Sequence, residues 1–458
     1  MAPIIFQKVR LYLRFKPFDV NTAEGLDQER NRIALLSIFA NAGSKGAAML
    51  LVLAGISWTL PYLGEERFGA WMAILSVATV LSFLDLGVGN ALTNHVAKAG
   101  ARGRESLKSA VTGGLLIVAF ISIFLLLFFN FIHSYLPWDL VLKSNSPPIV
   151  SEINSTIRFF YIAFAFLLYS NAVIKTYAGL QRAHIANSLQ TLASIIALIV
   201  LFFLAQLEVG IATLLAVTVI PICFTGIVLT LVLIKERLII IQGSISEVRN
   251  NFSDVFSVGG LFFVLQIAVI VGWGGDALIV SSTAGLSAVA SFAVVQRLFQ
   301  FVSQPFAILN SSLWPAYADA HSKNNLIYLK QLFKRSLLVS TIGGGLGLFL
   351  LAAAGPFLIS FLADEHLQVD PIFIWLFAAW MFIEIIGNCL GTFMNGVGII
   401  RVQVLLSLVF VAVAFPAKIL MIEVYGLNGM VLVNITAYLL MFMCPYLYLF
   451  MSGKIRAW

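Results

Sequence analysis

Two cations sit where hydrocarbon is expected. Lys45 and Arg297 each lie inside a long apolar run of the chain, with polar neighbours at steps of three and four residues. Around the first stand Ser37, Asn41, Ser44 and Ala48, and around the second Gln296, Gln300, Ser303 and Gln304, with Pro305 next. Those intervals put each set on one helical face. A charge near the middle of a bilayer costs at least a few kcal/mol, so such residues turn toward protein or a water-filled cavity. The guanidinium of Arg297 stays charged at any relevant pH and can fork two hydrogen bonds to a phosphate, which suits it to hold an anionic headgroup away from bulk water. Two structural readings compete: Lys45 snorkels to the inner surface, or Arg297 pairs with a carboxylate such as Asp276.

Acids and amides form the complementary set. Glu384, Asn388, Thr392 and Asn395 recur at helical spacing and give one face of their helix a polar lining. Glu384 is the candidate proton or cation site, unless it serves as counter-ion to Lys418 or Arg297. Asp276, in GWGGDALIV, is the other candidate for ion coupling, and Asp85, in LDLGVGN, for gating. Both belong to shallower positions and could equally be helix-end residues.

Several chemistries are excluded. The phosphate-binding loop G-x-x-x-x-G-K-[ST] does not occur, the nearest string being Gly43-Ser44-Lys45, and no H-E-x-x-H is present. The five histidines are scattered, and Cys223, Cys389 and Cys444 lie in apolar stretches without metal-ligand spacing. The reading is therefore not an enzyme, with no cofactor and no metal. The outer connections are too short for the catalytic surface of a glycosyltransferase or polymerase.

The elements that position these residues are membrane spans. Of 458 residues 60% are apolar and 11% charged, and the mean hydropathy is +0.98. A soluble domain carries about 25% charge. A span takes about 20 residues, because a helix rises about 1.5 Å per residue across a core of roughly 30 Å. Apolar runs predict twelve spans near 34–60, 67–94, 109–132, 157–178, 186–206, 210–234, 255–281, 287–313, 336–362, 371–395, 402–423 and 427–451. The longest outer connection runs from about His133 to Ser155.

The net charge of +7 is a topology signal rather than a nucleic-acid footprint. With a cytoplasmic N-terminus, Arg67, Lys143 and Arg158 fall outside and Lys45, Arg297 and Lys418 within spans. Every other Lys and Arg falls inside. The positive-inside rule then puts both termini in the cytoplasm. Residues 1–32 are a basic cytoplasmic segment with no signal-peptide core, and 4–18 could lie on the anionic inner surface as a short amphipathic helix or stay unstructured. Six crossings return the chain to its starting side, so 33–234 and 255–458, joined by a linker at 235–254, would be parallel halves. Asn171 and Asn388 near two span exits, and Gly113-Gly114 against Gly343 to Gly345, echo such a duplication.

The stretch PYLGEERFGAWMAILSVATVLSFLDLGVGN carries an outer turn of Gly64, Phe68 and Gly69, a helix, and an Asp85-Leu86-Gly87-x-Gly89 exit. Gly179-Leu180-Gln181-Arg182 follows the fourth span. Asp276, Gly285 and the run Phe292 to Arg297-Leu298 lead into the eighth. The pattern resembles the polysaccharide-export proteins of the multidrug/oligosaccharidyl-lipid/polysaccharide (MOP) exporter superfamily, especially the O-antigen (Wzx-type) flippases. The resemblance implies an all-α polytopic membrane protein with about twelve helices in two six-helix bundles around a central cavity that opens alternately to either side. It also implies a cationic cavity that takes an undecaprenyl-diphosphate-linked oligosaccharide across the bacterial inner membrane. Lys45 and Arg297 would clamp the diphosphate, and Asn41, Gln296, Gln300 and Asn388 would hydrogen-bond the sugars. The partners are then the lipid-linked oligosaccharide, membrane lipids, and a glycan polymerase with its chain-length protein, but no nucleic acid. The chain departs from a purely basic lining in offering one Lys in the first span and in carrying Asp276 and Glu384. Two rival readings remain: a cation-coupled drug or metabolite antiporter of the same superfamily, and a non-transporting scaffold of a glycan-synthesis complex.

Overall fold

The computed structural model describes residues 22–82, 88–135, 146–239, 274–363 and 367–451, with single positions at 18, 138, 142 and 272. Among the described residues the chain is helical and contains no strand. The principal helices are α1 (Ala23–Ser82), α2 (Val88–Arg102), α3 (Arg104–Ile132), α4 (Pro147–Gly179), α5 (Ala183–Gln206) and α6 (Ile211–Lys235) in the first half. In the second half they are α7 (Asp276–Ala284), α8 (Leu286–Ser322), α9 (Leu326–Ala363), α10 (Pro371–Val397), α11 (Ile400–Tyr438) and α12 (Cys444–Met451).

Nine helices among the described residues are long and apolar enough to cross a membrane. Two of them cross twice. The 60 residues of α1 would reach about 90 Å if straight, some three times the hydrocarbon thickness. Gly64 breaks it with φ 70 and ψ 170, a backbone state that a side chain with a Cβ disfavours. In the same way Gly426, with φ 60 and ψ −147, folds α11. Eleven membrane-length stretches result. The predicted seventh span, 255–281, lies outside the described residues except at its end, as does the proposed amphipathic segment 4–18.

Hydropathy located the spans but not their ends. The fourth begins at Pro147, with proline at the first helical turn, so the outer connection is shorter than His133 to Ser155. At the connection expected inside, α8 runs to Ser322 and α9 starts at Leu326, which puts Lys330, Lys334 and Arg335 on a helix rather than in a loop.

In the first half α4 packs against α2, α3 and α6, and α1 packs against α5. In the second α10 packs against α8, α9 and α11. The substantial contacts between the halves run through α1, which meets α7, α8 and α9. At Gly69 the backbones touch, since a Cβ there would fall on the carbonyl oxygen of Leu286. Beside this contact Phe68, Trp71 and Phe292 are buried. Side chains such as Phe120 and Phe131 of α3 and Phe357 and Phe361 of α9 point outward, as expected where the solvent is hydrocarbon.

A polar clamp fixes one end of the first half, the end expected outside. Arg67 of α1 donates two 2.8 Å hydrogen bonds to Glu152 of α4, which also accepts from the backbone N–H of Ile211 at 2.9 Å. Glu152 thus caps the start of α6 while holding α1.

Candidate functional site

Helical spacing on two elements builds one cavity between the halves. Lys45, Met49 and Leu53 follow one another at steps of four on α1. Arg297, Gln300 and Gln304 do so at three and four on α8. Together they line a space of about 210 Å³. Lys45 is exposed to it, and Arg297 is half-buried.

The electrostatics of this cavity are one-sided. Arg297 donates from Nη1 to Oε1 of Gln300 at 3.0 Å, and its Nε is buried without a partner. Neither Lys45 nor Arg297 has a carboxylate partner among the described residues. Two cations in a low-dielectric setting attract any anion that reaches them. The walls contributed by Met49 and Leu53 are apolar, so the cavity can bind a charged group and exclude much of its water.

Asp276 is placed elsewhere, and its partner is not Arg297. Its Oδ1 accepts from Lys418 Nζ at 2.6 Å and its Oδ2 from Asn434 Nδ2 at 2.9 Å. Lys418, fully buried, also donates to the Gly272 carbonyl. The bend of α11 brings both Lys418 and Asn434 onto the first turn of α7, a pairing across 142 positions that spacing could not reveal. With its charge matched inside the protein, Asp276 is a poor candidate for coupling an ion. The alternative pairing of Glu384 with Lys418 or Arg297 is likewise absent among the described residues.

Glu384 and Asn388 line a second cavity, of about 280 Å³, within the second half. Asn395 and Thr392 share that wall, as their helical spacing required. Gln403 and Ser407 of α11, and Tyr438 and Tyr446 further on, complete it. These last four were missed by sequence reasoning. Gln403 and Ser407, four apart on one face, carried the only signal. Asn388 accepts a 3.3 Å hydrogen bond from Asn310 of α8. Asn41 and Gln296 are half-buried on α1 and α8 and line neither cavity, while Asp85 lies outside the described residues.

Comparison with known proteins agrees with this architecture. The family described as polysaccharide biosynthesis protein matches residues 31–321. A putative O-antigen export protein of Yersinia pseudotuberculosis is 22% identical over 372 residues, covering 78% of this chain and 82% of that protein. Among solved structures, the inward-facing conformation of a multidrug resistance MATE family transporter of the MOP superfamily superposes with a TM-score of 0.74. It has 15% identity and covers 89% of this chain and 96% of that one. The outward-facing conformation of a transporter described in the same words gives 0.59 at 15% identity, over 93% and 96%. The shared feature is the fold.

Proposed function

The chain belongs to the polysaccharide biosynthesis protein family, and from that premise we propose that it flips a polyprenyl-diphosphate-linked oligosaccharide from the inner to the outer leaflet of the bacterial cytoplasmic membrane. One observation carries the reading: Lys45 and Arg297, one from each half, face a single cavity that holds no acid among the described residues. Their charges would grip the diphosphate, Gln300 and Gln304 would satisfy its remaining oxygens, and the polyprenyl tail would stay in lipid. No bond is made or broken.

Movement of the halves, 33–234 and 255–458, would carry the headgroup across. On the positive-inside topology, with both termini cytoplasmic, the touching backbones of Gly69 and Leu286 lie near the outer surface. Arg297 lies 11 residues from Leu286 along α8, or about 16 Å, and Lys45 lies 19 residues from the break at Gly64 along α1, or about 28 Å. This arrangement supports a state sealed outside, with the cavity reached from within.

A cation-coupled antiporter would place an unmatched acid between the halves. Here Asp276 is matched by Lys418, and Glu384 faces the other cavity. A scaffold has no use for uncompensated cations in the membrane. Transport by the purified chain in liposomes, followed with a labelled lipid-linked oligosaccharide, tests the proposal. Arg297→Ala is expected to lose transport while Arg297→Lys keeps part of it. Full transport by Arg297→Ala would remove the clamp and the reading with it.

A further inference from the structure

The second cavity differs in chemistry from the first. It contains one carboxylate, Glu384, and no cation among the described residues. Glu384 has no hydrogen-bond or ion-pair partner among them either. The amides around it are oriented by their own bonds. Asn388 Oδ1 accepts from Asn310, and Asn395 Oδ1 accepts from Gln403 Nε2 at 2.9 Å, which also donates to the Ile399 carbonyl at 3.4 Å. What remains for a ligand is therefore the Nδ2 donors of Asn388 and Asn395, with Glu384 and the Gln403 Oε1 as acceptors, beside the hydroxyl groups of Thr392, Ser407, Tyr438 and Tyr446.

That set is wrong for a metal ion and right for hydroxyl groups. A hard cation needs several oxygens converging on one point. Here two of the amide oxygens are already engaged, and the amide N–H groups left over cannot ligate a cation. A sugar hydroxyl both donates and accepts, so each can give its one hydrogen to the carboxylate or an amide oxygen and accept from amide N–H groups. The cavity also has an aromatic wall: Trp380 meets Tyr438 edge-on at 5.7 Å, Tyr438 stacks on Phe442 at 4.8 Å, and Tyr446 follows. Such a surface suits the apolar C–H face of a pyranose. At about 280 Å³ the space is close to the roughly 300 Å³ lower end of small-molecule sites.

Helix α8 connects the two sites. Arg297, Gln300 and Gln304 face the cationic cavity, and Asn310, six residues on, holds Asn388 at the rim of the other. Six residues of helix span about 9 Å. We infer that the second half carries a saccharide-binding subsite, built on Glu384, Asn388, Asn395 and Gln403 against the Trp380–Tyr446 aromatic wall. It holds a sugar of the lipid-linked substrate while the diphosphate sits at Lys45 and Arg297. The inference rests on the proposed function and deepens it by giving the sugar its own address.

The experiment is equilibrium binding to the full-length protein in lipid nanodiscs. The two probes are bare undecaprenyl diphosphate and the lipid-linked oligosaccharide fraction extracted from the cell that makes this chain. The glycosylated lipid is expected to bind at least tenfold more tightly than the bare one. Asn388→Ala and Gln403→Ala should reduce that preference to near parity and leave the bare lipid unaffected, whereas Arg297→Ala should weaken both by a similar factor. Because either amide variant could fold poorly, tryptophan fluorescence gives an independent readout. The glycosylated lipid, and not the bare one, should change a signal that Trp380→Phe removes. Equal affinity of the wild type for both probes, or an undiminished preference in both amide variants, would overturn the subsite. So would variants that keep the preference and lose a sodium dependence of transport, since the cavity would then serve a cation. A preference lost on Asn388→Ala, with no effect of Arg297→Ala on either lipid, would uphold the subsite and sink the diphosphate clamp.

Discussion

Lys418 and Arg297 are both cations inside the membrane-spanning part of the second half, and their surroundings are opposite. Lys418 is fully buried, bonded to Asp276 and to the Gly272 carbonyl, with Asn434 on the second oxygen of the acid. Arg297 faces a cavity, leans on the neutral Gln300, and keeps a buried Nε without a partner. The first charge is complete within the protein. The second has no counter-ion among the described residues. A charged residue in a membrane helix is therefore not a functional residue by virtue of its charge; where its counter-ion comes from decides.

The largest effect that separates the two belongs to Lys418. Replacing it by Ala leaves Asp276 buried and uncompensated, for which about 3–5 kcal/mol of destabilisation is expected. Thermal unfolding of the purified protein should show this loss. The double variant Lys418→Met with Asp276→Leu should recover most of it, because the pair is replaced by matched apolar groups. If Lys418→Ala were as stable as wild type, the comparison would fail on its structural side.

Next comes Arg297→Ala, whose effect should fall on function. A hydrogen-bonded charge contact contributes about 1.5–3 kcal/mol, so the transport rate should drop about tenfold to a hundredfold. Stability should change by under about 1 kcal/mol, since removing an unmatched charge leaves nothing stranded. A large fall in its melting temperature would show that Arg297 is as structural as Lys418.

Gly69→Ala tests the contact between the halves. Its methyl group meets the Leu286 carbonyl, a backbone atom, and overpacking of this kind costs about 1–3 kcal/mol. That cost falls on the outer-closed arrangement alone, so spin-label distances across the outer ends should lengthen in the variant. An unchanged distance would mean that this contact does not hold the outer side shut. The smallest effect is expected at the outer clamp: Arg67→Gln should cost about 1 kcal/mol or less, because Arg67 and Glu152 are both partly exposed. A loss as large as that from Lys418→Ala would place Arg67 among the fully matched buried charges.

Much of this was legible in the sequence, for physical reasons that also set its limits. Hydrocarbon demands long apolar helices, so the spans could be read by length. Helical spacing put Lys45 on one face of its helix and set Glu384, Asn388 and Asn395 along another, and the structure has the latter three on one wall. Spacing along a helix carries no information about which helix lies opposite. Asp276 was weighed as a partner for Arg297, and the true partner, Lys418, is fixed by the fold of α11 at Gly426. The aromatic wall of Tyr438 and Tyr446 escaped notice because aromatic residues in an apolar helix look like packing until a cavity opens beside them. Helix ends were missed at Pro147 and around Asn324, where the chain stays helical beyond the membrane although its hydropathy falls.

The measurement that bears most directly on the account is the affinity of bare undecaprenyl diphosphate for the purified protein. It would be taken in wild type, Lys45→Ala, Arg297→Ala and the double variant, with the Lys418→Met, Asp276→Leu pair as reference. At least tenfold weaker binding in each single cavity variant, loss in the double, and wild-type affinity in the reference are expected. Wild-type affinity in the Lys45→Ala, Arg297→Ala double variant would contradict the claim that these two cations hold the headgroup.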